Sequence, residues 1–351
     1  MIESKDIEGL VRPNIRTLAP YSTARDEFEG SIGIFLDANE SPYTTGWNRY
    51  PDPRQKQLKA AIAAIKGIKA ENLFLGNGSD EAIDLIFRVF CEPGKDNIVA
   101  ICPSYGMYTV CAAINDIEVR EVLLGEDFSL PVQKLLSACD SRTKALFLCS
   151  PNNPSGNAFP REEIVTIIEN FSGIVVLDEA YIDFCSTPSL VPLVEKYPNL
   201  VILQTCSKAR GLAALRLGLA IAGERIIRLM SMVKYPYNIN EATQKIALEA
   251  LAKPIDAEVK EIVEQRGALA AELEKFNCVE KVYPSEANFL LVKVDDPDAL
   301  YATLIEEGVI VRNRTRVPLC KGCLRITVGL KEENEKLIKA ISKYEESNIR
   351  R

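Results

Sequence analysis

The sequence predicts an α/β protein: a large unit built on a mostly parallel sheet between helices (α/β/α), followed by a smaller α+β unit. Three observations carry this expectation. Short runs at 98–102, 144–150 and 174–178 are apolar almost throughout and alternate with helix-like stretches. Strands buried on both faces read this way, and parallel sheets bury their strands under helices on both sides. After Gly223 the pattern turns strongly helical, from 240 to about 276, and then to short strands and helices. At 351 residues the chain is also longer than one core usually supports. The expected division is an N-terminal arm at 1–40, a large unit at 41–245 and a small unit at 246–351.

The arm is punctuated by Pro13 and Pro20, and 20–25 reads as a turn leading into a short helix. Residues 34–37 form a short extended run ending in the turn cluster Asn39-Glu-Ser-Pro42. Pro51 and Pro53 keep 48–53 irregular. Leu58, Ala61, Ile62 and Ile65 recur at helical spacing, which predicts a helix over 57–65 with these four on its buried face. A short strand at 72–76 feeds Asn77-Gly-Ser-Asp-Glu81 and a helix over 82–90. Residues 98–102 form a strand, Pro103 opens a helix reaching about 114, and 118–124 alternates as a strand. The apolar runs 144–150, 174–178, 200–203 and 217–222 are further strands. Helix is expected over 224–232, a turn at 234–238, and helix again from 240, broken near Pro254. The small unit follows with strands at 279–283, 288–294, 309–312 and 324–328 and helices over 297–307 and 332–344. The tail at 345–351 reads as loose.

Composition excludes several classes. A net charge of −7 offers no general attraction to nucleic acid or an acidic membrane surface. No apolar run approaches the ~18–20 residues of a membrane span, and the charged start lacks a signal-peptide core. A cytoplasmic protein is expected. Most of the ten cysteines sit in apolar segments, as free buried thiols do in a reducing compartment. Cys320 and Cys323 have metal or redox spacing but no second pair beside them. The chain contains no histidine, which removes histidine bases, Ser-His-Asp triads and histidine metal ligands. No metal site is expected.

Chemistry-bearing residues collect at the ends of predicted strands, where ligands gather in such sheets. Ser79 and Asp80, Tyr105, Asn152 and Asn153, Asp178, and Lys208 all fall there. Lys208 sits on a short loop between two apolar runs, with Ser207 before it and Arg216 beyond. A primary amine flanked by a hydroxyl and a guanidinium suits condensation with an aldehyde cofactor whose phosphate the other two groups hold. A solvated surface lysine is the plain alternative. Gly78 followed by Ser79 and Asp80 at a helix start leaves backbone N–H groups at the positive end of the helix dipole. That is either a phosphate cup or an ordinary N-cap. Asp178 as a helix cap, Tyr105 as a core aromatic, Asn153 as a turn residue and Arg216 as a surface ion-pair partner are the corresponding structural alternatives.

Eight motifs run in order nearly end to end: Leu36-Asp-Ala-Asn-Glu-Ser-Pro42, Asn48-Arg-Tyr-Pro51, Gly76-Asn-Gly-Ser-Asp-Glu81, Pro103-Ser-Tyr-Gly-Met-Tyr108, Ser150-Pro-Asn-Asn-Pro-Ser-Gly156, Leu177-Asp-Glu-Ala-Tyr181, Ser207-Lys208 with Gly211-Leu-Ala-Ala-Leu-Arg-Leu-Gly218, and Leu324-Arg-Ile-Thr-Val-Gly329. Together they resemble the pyridoxal-phosphate-dependent aminotransferases of fold type I, and among these the histidinol-phosphate aminotransferase subfamily. The resemblance implies pyridoxal 5'-phosphate joined to Lys208, with Asp178 on the pyridine nitrogen and Asn153 and Tyr181 on the phenolic oxygen. It implies Ser79, Asp80, Ser207 and Arg216 on the cofactor phosphate and Tyr105 against the ring. Tyr50 would reach the phosphate in the neighbouring subunit of a homodimer. Arg325 would clamp an α-carboxylate, and Tyr21 and Arg312 a distal phosphate. The implied reaction is amino transfer from L-histidinol phosphate to 2-oxoglutarate, giving imidazole-acetol phosphate and glutamate. Lys208, Asp178 and Tyr181 would be the catalytic groups. Arg210, Ala214 and Tyr235 depart from the family pattern and bear on specificity. An aromatic or broad-specificity aminotransferase and a threonine-phosphate decarboxylase on the same scaffold are the rival readings.

Overall fold

The computed structural model describes residues 6–23 and 33–349. Two helical turns open it, α1 (Ile7–Leu10) and α2 (Pro13–Arg16). The sequence reading places no helix there. Ile7, Val11 and Ile15 anchor this segment in the core of the main sheet. The helix expected from the turn at 20–25 lies outside the described residues. The run at 34–37 forms no strand, and Ile34 and Leu36 are 91% and 89% exposed.

The main sheet has strand order β1-β7-β6-β5-β4-β2-β3. Its strands are β1 (Leu73–Asn77), β2 (Asn97–Cys102), β3 (Glu118–Leu123), β4 (Thr143–Cys149), β5 (Ile174–Asp178), β6 (Leu200–Thr205) and β7 (Leu217–Ala222). β7 runs antiparallel to both neighbours, and the other pairs are parallel. Side chains alternate across the sheet, and here the alternation feeds two cores. Val99, Leu146, Leu148, Val175 and Leu177 face one of them. That side is covered by α3 (Lys56–Lys66), with α6 (Val132–Ala138), α7 (Arg161–Asn170) and α9 (Glu241–Leu251). Ala100, Ala145, Phe147 and Val176 face the other. There α4 (Ser79–Phe90), α5 (Met107–Ile114) and α8 (Glu224–Val233) pack beside α1 and α2. Asp178 is in phase with Ile174 and Val176, so the alternation turns its side chain toward α4 and α5. Ile65 shares the angular phase of Leu58 yet is 47% exposed, while Leu58, Ile62 and Ala63 are the buried residues of α3. Burial of a last turn needs a partner opposite it as well as the right face.

A second sheet, antiparallel throughout, has the order β10-β11-β9-β8. It is built from β8 (Val279–Val282), β9 (Phe289–Val294), β10 (Arg312–Asn313) and β11 (Cys323–Thr327). Leu290, Val292, Leu324 and Ile326 pack in one core with residues of α10 (Asp256–Leu273), α11 (Pro297–Glu306) and α12 (Lys331–Ile349). The strand expected at 309–312 begins only at Arg312, because the Val309 N–H is taken by the Leu304 carbonyl at 2.7 Å, closing α11. The tail expected to be loose continues α12 as far as Ile349. Tyr344 is buried there, and Glu345 Oε1 accepts the Cys278 N–H at 2.7 Å. All ten cysteines are free, and Cys320 and Cys323 are buried in the core. Among the described residues no helix is long and apolar enough to cross a membrane.

Candidate active site

β1, β4, β5 and β6 end on the same side of the main sheet, and a cleft of about 500 Å³ lies over those ends. Ser79, Asp80, Tyr105, Asn153, Asp178, Tyr181, Ser207, Lys208 and Arg216 all line it, with Gly78, Cys149, Ala180 and Thr205.

One wall is the start of α4. Gly78 has φ +71° there and donates its N–H to the Arg216 carbonyl at 2.6 Å. No side chain caps this helix end, so its first N–H groups remain available to an anion. Gly218 pairs with Gly76 across β1 and β7. A Cβ at Gly218 would collide with the backbone of Gly78 and Ser79. That close approach brings Arg216, itself left-handed with φ +52°, over the cup. Arg216 meets Asp80 Oδ2 at 3.2 Å, and the Tyr105 hydroxyl donates to Asp80 Oδ1 at 3.0 Å. The Asp80 carboxylate therefore fixes both the guanidinium and the aromatic ring.

The floor is Asp178, which is only 2% exposed. Its Oδ2 accepts the Tyr108 hydroxyl at 2.8 Å and its Oδ1 the Ala180 N–H at 3.0 Å. Burial pushes its carboxyl up to about 6, although both hydrogen bonds favour the ionised form. Among the described residues no cation forms an ion pair with it.

Lys208 lies opposite, its Nζ 5.7 Å from the centroid of the Tyr181 ring. Burial, and then the Arg325 charge, hold its amine below the ordinary lysine range. Asn153 links the two sheets: its Nδ2 donates to the Tyr181 hydroxyl at 3.4 Å, and its Oδ1 accepts from Arg325 at 2.5 Å. An amine of lowered basicity, a buried carboxylate and an anion cup in one cleft can bind and activate an anionic carbonyl compound.

Residues 36–341 match the family model for aminotransferase class I and II. The chain belongs to the class I and II aminotransferases. This aminotransferase is 53% identical over 344 residues to the histidinol-phosphate aminotransferase of Bacteroides thetaiotaomicron, covering 97% of this chain and 99% of that one. The histidinol-phosphate aminotransferase structure from Clostridium acetobutylicum matches with a TM-score of 0.80 at 24% identity, over 86% of this chain and 92% of that one. The Sinorhizobium meliloti histidinol-phosphate aminotransferase in complex with pyridoxal-5'-phosphate matches with a TM-score of 0.76 at 23% identity, over 85% and 83%. These likenesses show the fold expected from the sequence, that of the fold type I aminotransferases.

Within the aminotransferase, four predicted residues are not part of the cleft lining: Arg325, which reaches it through Asn153, and Tyr50, Tyr21 and Arg312. Tyr50 is half exposed and stacks on Tyr237, with ring centroids 4.4 Å apart. Tyr21 is 75% exposed and lines a separate pocket with Lys59, Arg228 and Lys234. Arg312 is exposed on β10, directly across from Arg325. Sequence reasoning missed Tyr108 as a partner of Asp178. The signal was its place three residues after Tyr105 at the start of α5, together with the strand phase that turns Asp178 toward that helix.

Proposed function

We propose that this aminotransferase moves the amino group of L-histidinol phosphate to 2-oxoglutarate, using pyridoxal 5'-phosphate and giving imidazole-acetol phosphate and glutamate. The observation that carries the reading is one cleft holding Lys208, the buried Asp178 and the uncapped start of α4. The fit to the cofactor is physical. A buried carboxylate without a cationic partner suits a protonated ring nitrogen, and an uncapped helix end beside Arg216 suits a phosphate. When bound, the cofactor supplies an aldehyde for amines to condense with and a ring that delocalises the electron pair left when a Cα proton departs.

The chain's own residues do the rest. Lys208 would hold the cofactor through its amine; once the substrate amine has taken its place, the freed amine, made less basic by burial and Arg325, would accept the proton from the substrate Cα and return it to the carbon that had joined Lys208. Asp178 keeps the ring nitrogen protonated in surroundings where water competes little. Asn153 and Tyr181 donate to the phenolic oxygen. Ser79, Ser207, Arg216 and the amides of Ser79 and Asp80 hold the cofactor phosphate. Tyr105, oriented by Asp80, lies against the ring. Arg325 takes the α-carboxylate of glutamate as a planar fork, while Arg312 and Tyr21 serve the distal phosphate. In the single chain Tyr21 lies apart from the cleft.

The active form in this reading is a homodimer in which Tyr50 completes the neighbouring site. The segment around it supports this, since Ile34, Leu36, Tyr43, Trp47 and Tyr50 are all exposed by half or more. Ten free thiols fit a reducing cytoplasm. A turnover panel tests the substrate. Histidinol phosphate should exceed phenylalanine in kcat/KM by at least about 100-fold, the worth of two charge-assisted contacts. Preference for phenylalanine, or carbon dioxide release from threonine phosphate, would replace the reading with one of its rivals.

A further inference from the structure

The second sheet turns one face toward the main sheet, and that face carries more positive charge than the two arginines named above. Arg312 lies opposite Arg325 in the β10–β11 ladder. The pairing runs on through the Arg314 N–H to the Cys323 carbonyl at 2.8 Å. Side chains of antiparallel partners share a face and alternate along each strand, so residues 312, 314, 323 and 325 lie on the same side. Packing identifies that side. Cys323, and Leu291 opposite Arg325, are buried in a core of the main sheet. Leu290, Val292, Leu324 and Ile326, out of phase with them, pack in the core of the second sheet instead.

Three guanidinium side chains thus project from the side that packs toward the main sheet, where Arg325 reaches Asn153 of the cleft lining. Among the described residues none of them forms an ion pair with a carboxylate, although the chain as a whole carries −7. Arg325 is tied to Asn153 and lies over the Phe289 ring at 5.2 Å. The Nε of Arg314 is buried and has no hydrogen-bond partner. Burial and the charges of neighbouring arginines hold both Arg314 and Arg325 below the ordinary arginine range, and Tyr181 acts on both in the opposite sense. Buried polar atoms are nearly always partnered in native proteins, and like charges brought together repel unless an anion joins them.

We propose that Arg314 is a specificity-determining residue, a further guanidinium of the subsite that receives the distal phosphate of the amine substrate. This rests on the substrate reading above and deepens it. A phosphate monoester near neutral pH carries close to two negative charges and three acceptor oxygens. Arg312 in β10 and Arg314 just beyond its end, on the same face, approach it together. Arg325, held by Asn153, remains for the carboxylate of the second substrate. Arg314 thereby favours a phosphate-bearing amine over an amino acid that lacks one.

The test compares the wild-type holoenzyme with Arg314→Gln in each half of the reaction. The variant should raise the KM for histidinol phosphate about 10- to 100-fold, as loss of one charge-assisted hydrogen bond does. The KM for glutamate should move less than about threefold. Equal shifts in both, or no shift in either, overturn the role of Arg314 while the substrate reading stands. A wild-type enzyme that does not turn over histidinol phosphate overturns the substrate reading and this inference with it. A second measurement needs no variant. Phenylglyoxal modification of Arg314 in the wild-type holoenzyme, located by mass spectrometry, should be slowed by histidinol phosphate and not by 2-oxoglutarate. Equal modification with either ligand contradicts the proposal even if the variant does not fold.

Discussion

The Tyr108 hydroxyl donates to Asp178 Oδ2 at 2.8 Å, and both residues are buried. The bond joins the first turn of α5 to the end of β5, and it holds in place the one carboxylate on the cleft floor. Tyr108→Phe removes a donor to a charged acceptor. The variant should bind pyridoxal phosphate about tenfold more weakly at pH 7, and the pH below which binding fails should rise. A fluorescence titration of apoprotein with the cofactor across pH 5–8 measures both. Unchanged affinity and an unchanged pH limb would reduce Tyr108 to a packing residue.

Asp178 also sets a pH-dependent stability. Folding raises its carboxyl to about 6, so the ionised form disfavours the folded apoprotein. The penalty is absent below the unfolded value near 4, grows as pH rises, and is complete above about 6. Asp178→Asn removes a penalty of about 3 kcal/mol at the cost of one imperfect hydrogen bond. The variant apoprotein should therefore be more stable than wild type by about 1–2 kcal/mol at pH 8, with the gain gone at pH 4. Urea unfolding at the two pH values measures it. An equal effect at both would show that the ionised carboxyl is not the source.

Gly218 is required by backbone proximity. Its missing Cβ is what allows β7 to lie against Gly78 and Ser79. Gly218→Ala should destabilise the protein by about 3 kcal/mol, the upper range for overpacking, and should weaken cofactor binding by displacing the start of α4 from Arg216. Thermal unfolding and cofactor titration read the two effects. A variant as stable as wild type would mean that the turn can shift freely.

Much of this site was legible in the sequence because its residues are chemically scarce and sit at strand ends. Lys208, Asp178 and the Gly78-Ser79-Asp80 turn each follow an apolar run, and the sheet gathers those ends into one cleft. What stayed hidden depended on packing between elements distant in the chain. Tyr108 reads as an ordinary helix aromatic until α5 lies on the sheet. The Arg325–Asn153 contact joins a strand of the second sheet to the turn after β4. The face that Arg314 shares with Arg312 and Arg325 shows only in the β10–β11 register. The errors of the fold reading have similar causes. Val309 is apolar enough for a strand, but its N–H closes a helix. The polar tail after Tyr344 is helical because Tyr344 and Glu345 tie it to the second unit.

The most direct test is formation of glutamate from 2-oxoglutarate with L-histidinol phosphate as amino donor, by the wild-type holoenzyme and by Lys208→Ala. Steady glutamate production by the wild type, and its fall by at least about 10⁴-fold in the variant, is the predicted result. Sustained turnover without the Lys208 amine, or a wild type that makes glutamate only from other amino donors, would contradict the account.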